Sequence, residues 1–502
     1  MIAMKRFRLS TAWLVAWIGL TGTLLVGCSD MLEPEVYSEL TPETFFSSEA
    51  DFNSAVVAIY NAFSTDWGTT DLGDGQWYAA LYNHDRKTYW ARSEITTDEY
   101  ATGWDPTFTT FSWGPATFSG VEASNYMKIR YVARATDVID KIEKSTAPVP
   151  EHIKARYIAE AKVLRAWLMY ILYDFFGPVN VKLDPATLYS TEITPRPSRE
   201  EYVAAIERDL QEAIPNLPDK YNDDPANWGR VSKGVARMLL LRLYMHEKRW
   251  AEAENVAREL MNMGYTLMPE YTQICEERNP ELIYAVPADA SSPNWYWMEI
   301  LPNDFASAQV GDQTITGPQG WGGFWMPWDF YDQYEAGDKR LYTILDSYTN
   351  VRGQLITRQR MRGAIPLKCI GDLGTSAGAE IDWPVFRYAE VLLSLAEAIN
   401  EQRGPTAEAL QYVNMVRERA GVAPWTPDQF TSKEQLRDSL LVERGRELYS
   451  EGVRRQDLIR HGKFIEYAQR RGINAQPHHV LFPIPQFVID QSGGVIEQNP
   501  GY

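Results

Sequence analysis

Along much of the chain, apolar residues return every three or four positions. Between Ala159 and Phe176, the side chains of Leu164, Trp167, Leu168, Ile171, Leu172 and Phe175 share one helical face, and Met169 and Tyr170 add a second apolar side. That pattern predicts a helix buried nearly all round, stopped by Gly177-Pro178 because the residue before a proline is pushed out of the helical region. Pro384–Glu401 repeats the period with Val385, Tyr388, Ala389, Leu392, Leu393, Ala396 and Ile399. Further helices are predicted over 51–63, 124–142, 199–213 and 433–451.

Two stretches read as helical hairpins. Ser232 suits an N-cap for a helix over 233–247, Lys248-Arg249 turns, and a second helix runs from Trp250 to Met263 before Gly264. The other hairpin joins 384–401 to 406–420 through Arg403-Gly404-Pro405 and ends at Gly421. Their second helices open alike, Ala251-Glu252-Ala253 and Ala407-Glu408-Ala409. The spacing resembles tetratricopeptide-like pairs, which bury their apolar faces by stacking. The fold is expected to be mainly α.

Between the helices lie long stretches without period, roughly 64–120, 268–328 and 351–382, and loops of that length are uncommon unless they carry function. The chain has 17 Trp and 28 Tyr, and ten of the fifteen tryptophans beyond residue 27 sit in two such windows. Trp67, Trp77, Trp90, Trp104 and Trp113 form one group; Trp295, Trp297, Trp321, Trp325 and Trp328 form the other. Tryptophans that only pack a core would be spread over the helices instead. Rings with a polar edge suit half-apolar partners such as sugars or peptides. Trp167, Trp250 and Trp383, on or beside predicted helices, are assigned to the core.

Charge narrows the field. Lys and Arg number 49 against 67 Asp and Glu, a formal charge of −18 that repels polyphosphates and excludes nucleic acid as a partner. At the N-terminus, Lys5, Arg6 and Arg8 precede an apolar run over 12–26 that ends in Leu25-Val26-Gly27-Cys28. This predicts a signal peptide over 1–27, too short to span a membrane, and a lipobox whose Cys28 becomes the acylated N-terminus. Residues 28–40 read as a tether. Cys275 and Cys369 could pair, but two unrelated buried thiols are the favoured reading. The dense charges from Glu443 to Arg460, with Glu451 and Arg455 four apart, read as a structural ion-pair lattice rather than a phosphate site. No nucleophile elbow, zinc-protease motif or phosphate-binding glycine loop is present, and His478-His479 is badly spaced for a shared metal, so neither cofactor nor metal is expected.

Several of these segments, in this order, resemble the SusD/RagB family of outer-membrane nutrient-binding lipoproteins. After the lipobox come DMLEPEVYSELTPETFF, the strip Ser93–Tyr100, Ala159–Val181, and the hairpin Gly229–Tyr265. Next are Tyr334–Arg340, Arg387–Glu401, Glu443–Lys463, Leu481–Pro485 and the terminal Gln498–Tyr502. The resemblance implies one domain over 28–502, in which tetratricopeptide-like helix pairs, including those of 383–463, scaffold a long-loop, aromatic-rich binding face near 64–120 and 268–330. It implies no catalysis, an outer-membrane position facing the cell exterior, and a SusC-like TonB-dependent transporter as partner.

Family members hold ligand on loops after the TTDE-like strip and before the GD-R strip. Here those regions offer Trp104, Asp105, Trp113, Asn294, Trp295, Trp297, Trp321 and Trp325 as candidates. An oligosaccharide is the expected ligand, since flat aromatic platforms suit sugar faces better than the main-chain hydrogen bonding of peptides. A peptide ligand and, least favoured, a surface glycosidase remain the alternatives.

Overall fold

The computed structural model describes residues 46–65, 77–370 and 378–502. The predicted signal peptide, Cys28, the tether and Trp67 lie outside them. Eleven of the sixteen α-helices among the described residues frame the fold: α1 (Glu49–Tyr60), α2 (Tyr89–Ile95), α3 (Ile129–Lys144), α4 (Glu151–Phe176), α5 (Arg199–Ala213), α6 (Lys233–His246), α7 (Trp250–Met261), α8 (Tyr296–Ile300), α9 (Tyr388–Arg403), α10 (Ala407–Arg419) and α11 (Lys433–Leu448).

Local chemistry sets their ends. Ser198 and Glu201 form a reciprocal capping box at the start of α5, and the Ser232 and Thr406 hydroxyls accept from the backbone N–H groups of Val235 and Ala409. Gly177 ends α4 at φ +72° and Gly404 ends α9 at φ +80°, left-handed positions that a Cβ would strain. Consecutive helices then pair. α3 packs on α4, α4 on α5, α6 on α7, and α9 on α10, while α9 also joins α7 to α11. The mainly α expectation and the helix hairpins therefore hold. α4 is buried from Tyr157 to Phe176 on almost every side, and Trp167 sits at its centre with ring contacts to Phe63, Tyr82, Tyr284 and Phe386.

The windows without period are not structureless. Ten short strands, seven of them within these windows, lie among the described residues: β1 (Ala101–Thr102), β2 (Leu282–Val286), β3 (Phe305–Val310), β4 (Gln313–Thr316), β5 (Phe324–Trp325), β6 (Ile344–Leu345), β7 (Ser347–Asn350), β8 (Leu355–Thr357), β9 (Ile365–Pro366) and β10 (Trp383–Arg387). The largest sheet is antiparallel, in the order β4-β3-β7-β8. Strands of two to six residues are too short to show a period of two. β10 corrects the predicted start of a helix at Pro384: Trp-Pro-Val-Phe-Arg is β-branched and aromatic, and it pairs with β2 before α9 begins.

Two further expectations change. Cys275 and Cys369, 94 residues apart, are joined in a disulfide with their Cα atoms 5.5 Å apart. Only the tertiary fold brings them together. The ion-pair lattice exists, but it is buried and long-range. Arg387 reaches Glu281 at 2.5 Å, Glu447 at 3.1 Å and Glu451 at 2.5 Å; Arg340 reaches Asp338 at 2.8 Å and Glu443 at 2.7 Å; Arg419 bridges Glu281 and Glu447.

The expected Glu451–Arg455 pair does not form. Ser450 and Gly452 adopt positive φ after α11 ends, so four residues no longer make one helical turn, and Arg455 turns to Asp174 instead. Burial pushes the Glu447 carboxyl up, but the guanidiniums of Arg419, Arg387 and Arg340 outweigh it and hold the group at about 2.

Candidate functional site

The segment between Glu281 and Asp338, anchored at both ends in this lattice, builds one side of an open cleft of about 400 Å3. Its floor is glycine-rich. The backbone N–H groups of Trp321, Gly322 and Gly323 donate to Met298, Leu301 and Glu299 in and after α8, at 2.6, 2.8 and 2.8 Å. This binds the Gly320–Gly323 turn tightly to the helix. A Cβ on Gly320 would lie 2.3 Å from the Leu301 carbonyl, and one on Gly323 would lie 2.0 Å from the Trp104 ring. Only glycines allow that approach, and Trp104 consequently lies against the Gly323 backbone with 40 % of its surface exposed. Trp321 is 45 % exposed and parallel to Trp295, with an interplanar angle of 9° and centroids 6.3 Å apart. β1 pairs with β5, Ala101 opposite Trp325, which brings the two tryptophan windows into one place.

The eight sequence candidates therefore divide. Trp104, Trp321 and Trp325 line the cleft, and Trp295 backs Trp321. Trp113 and Trp297 are enclosed, at 4 % and 3 % exposure, and present no face to a ligand. The Trp113 indole N–H donates to the Tyr502 hydroxyl at 2.8 Å, and that of Trp297 donates to the Cys369 carbonyl at 3.0 Å.

Asn294 is buried as a brace: its Oδ1 accepts from the Tyr296 N–H, its Nδ2 donates to the Ile381 carbonyl, and its backbone bridges Ala379. Asp105 is buried outside the cleft, where desolvation raises its carboxyl against the opposing charge of Arg92. Among the other tryptophans, Trp90 is fully buried on α2, Trp167 and Trp383 are core as expected, and Trp250 is only half-buried at the start of α7.

Sequence reasoning missed Asn303, Asp304, Tyr348, Arg360 and Arg362, which also line the cleft. Tyr348 donates to Asp304 Oδ1 at 2.7 Å and Asn350 Nδ2 to Asp304 Oδ2 at 3.3 Å. Asp304 is the one carboxylate among the described lining residues. Beneath the cleft, the Glu299 carboxyl on α8 is pushed up to about 9 by burial, with the charge of Asp85 adding to the effect.

Two sequence models match the chain. One, described as starch-binding and associating with the outer membrane, covers residues 32–245; the other, the SusD family, covers residues 354–502. Most of the cleft-lining residues fall between them. A SusD-like protein, P25, from Formosa agariphila is 25% identical over 91% of this chain and 93% of its own length. A laminarin-binding SusD-like protein of known structure superposes with a TM-score of 0.72 at 24% identity, over 91% of this chain and all of its own. Surface glycan-binding protein A from Bacteroides thetaiotaomicron, solved in complex with laminarihexaose, gives 0.69 at 23% identity, over 90% of this chain and 99% of its own. With both models matched in order and relatives aligned nearly end to end, the chain belongs to the SusD-like family.

Proposed function

We propose that the protein is a glycan-binding lipoprotein of the outer membrane, which captures oligosaccharides by stacking them on Trp104, Trp321 and Trp325 and passes them to a TonB-dependent transporter. The observation that carries this reading is the pair of half-exposed indoles on the glycine floor of an open cleft. An exposed ring of that size is costly to leave in water, and sugar C–H faces are its natural cover. Relatives named for starch, laminarin and surface glycans support the ligand class. The single carboxylate among the described cleft residues argues against hydrolysis, since glycosidases need two, about 5–10 Å apart. The disulfide supports a location beyond the reducing cytosol.

Titration of a glycan panel against Trp104→Ala and Trp321→Ala, with thermal melts, tests the site. Each variant should bind about 5- to 150-fold more weakly, from a stacking loss of about 1–3 kcal/mol. Trp167→Ala, the core control, should instead lose about 3–5 kcal/mol of folding free energy. Normal binding by both cleft variants would refute the site. The anchor is tested by Cys28→Ser, which should leave the outer membrane and lose its lipid label. Mild detergent extraction should co-purify a transporter barrel.

A further inference from the structure

We propose that the cleft takes a saccharide bearing an anionic substituent, a carboxylate or a sulfate ester, and that Arg360 and Arg362 receive it. This deepens the glycan reading above and rests on it. Arginines in this protein are mostly neutralised: Arg340, Arg387, Arg417, Arg419, Arg444, Arg454 and Arg460 each touch a carboxylate, and Arg358 grips Asp332 with two bonds of 2.6 Å. Arg360 and Arg362 follow Arg358 at two-residue steps, yet neither has a carboxylate within 4.0 Å or a hydrogen-bond partner among the described residues, and both line the cleft. With 67 acids against 49 basic residues, acidic partners are not scarce. The sequence keeps them away from this edge: between Asp346 and Asp372 stand Arg352, Arg358, Arg360, Arg362 and Lys368, with no Asp or Glu.

The two side chains stand on a fixed backbone. Ala364 and Met326 exchange backbone hydrogen bonds of 2.9 Å in both directions, and a Cβ on Gly363 would come 2.2 Å from the Met326 carbonyl. The segment therefore sits in tight register on the residue after β5. The Arg362 guanidinium lies over the Trp325 ring at 5.3 Å, so a stacked residue is itself flanked by the cation. A pyranose laid on an indole directs its ring substituents sideways, and a planar guanidinium fork matches carboxylate or sulfate oxygens. Asp304, already engaged by Tyr348 and Asn350, suits a sugar hydroxyl as donor.

The test is calorimetric titration of the purified protein at low ionic strength with three probes: an oligogalacturonate, a sulfated galactan oligosaccharide and neutral laminarihexaose. At least one anionic probe should bind tenfold or more tightly than the neutral one, and salt should weaken it. Arg360→Gln/Arg362→Gln should lose about 10- to 100-fold for that probe, a larger factor than for the neutral one, while melting like the wild type. The responding arm separates carboxylate from sulfate. Failure of both anionic probes, or unchanged binding by the double variant, overturns the proposal. If laminarihexaose then still binds and depends on Trp104, the glycan site stands without its charge preference. If a bound probe ignores Trp104→Ala, the cleft reading has failed as well.

Discussion

Replacing Gly323 by alanine isolates the aromatic platform without removing a ring. A Cβ there falls 2.0 Å from two carbons of the Trp104 indole and 2.4 Å from a third. Carbon atoms settle at about 3.5–4.0 Å, so the two must separate by roughly 1.5–2 Å. The floor cannot yield, because the Gly323 N–H is bonded to Glu299 at 2.8 Å and the next residue pairs with Thr102. The half-exposed indole moves instead and loses its edge contact with Phe324 at 5.7 Å. Uncovering on the order of 50 Å2 of apolar ring costs about 1.3 kcal/mol at about 25 cal/mol per Å2. Stiffening of the unfolded chain by Gly→Ala returns about 0.4–1 kcal/mol. Net stability should therefore fall by less than about 1 kcal/mol, while loss of the stacking face weakens glycan binding about 5- to 150-fold.

Melts, acrylamide quenching of indole fluorescence and glycan titration read the three effects. Gly114→Ala is the control, for its φ is −144° and nothing lies within 4 Å of the new Cβ. Wild-type affinity in Gly323→Ala would refute the argument that Trp104 is held in place by the floor.

Cys275→Ser/Cys369→Ser should lower folding stability by about 3–5 kcal/mol, the entropy of a loop near 94 residues, with glycan affinity retained; melts and titrations check it. Glu299 carries a raised pKa, so between the ordinary carboxyl value and about 9 the folded state holds a proton that the unfolded chain has released, and stability falls as pH rises through that window. Glu299→Gln should flatten the decline between pH 5 and 8 and gain about 1–3 kcal/mol at pH 8, read from melts across pH. Arg387→Met should cost about 3–5 kcal/mol, because Glu281, Glu447 and Glu451 would stay buried without their shared cation. Urea denaturation measures that loss.

The helical scaffold was legible because its helices are long and capped: Ser232, Gly264, Thr406 and Gly421 mark ends that the structure keeps within a few residues. The candidate binding face was legible only as a neighbourhood. Trp104 and Trp113 look alike in sequence, and what separates them is the company each finds. One meets the glycine backbone at Gly323, the other the Tyr502 hydroxyl at the far end of the chain. The Gly320-Trp321-Gly322-Gly323 run was the local signal for an exposed ring, as the acid-free arginine run was for the cleft edge. The disulfide left no local trace, and the lattice showed only as the charge density of Glu443–Arg460, because partners such as Cys275 and Cys369 or Glu281 and Arg387 are distant in sequence.

The ion-pair lattice has an architectural consequence. Glu281 is tied to Arg387 and Arg419, and Arg340 beside Asp338 is tied to Glu443, so both ends of the cleft-building segment are clamped to the same end of α11 and its neighbours. A chain whose ends are already fixed loses little more entropy for added length, since each doubling of a loop costs only about 0.6 kcal/mol. The segment thus behaves as a cassette in a socket: its contents can be lengthened, shortened or exchanged for another ligand while the socket and the helices behind it remain unaltered.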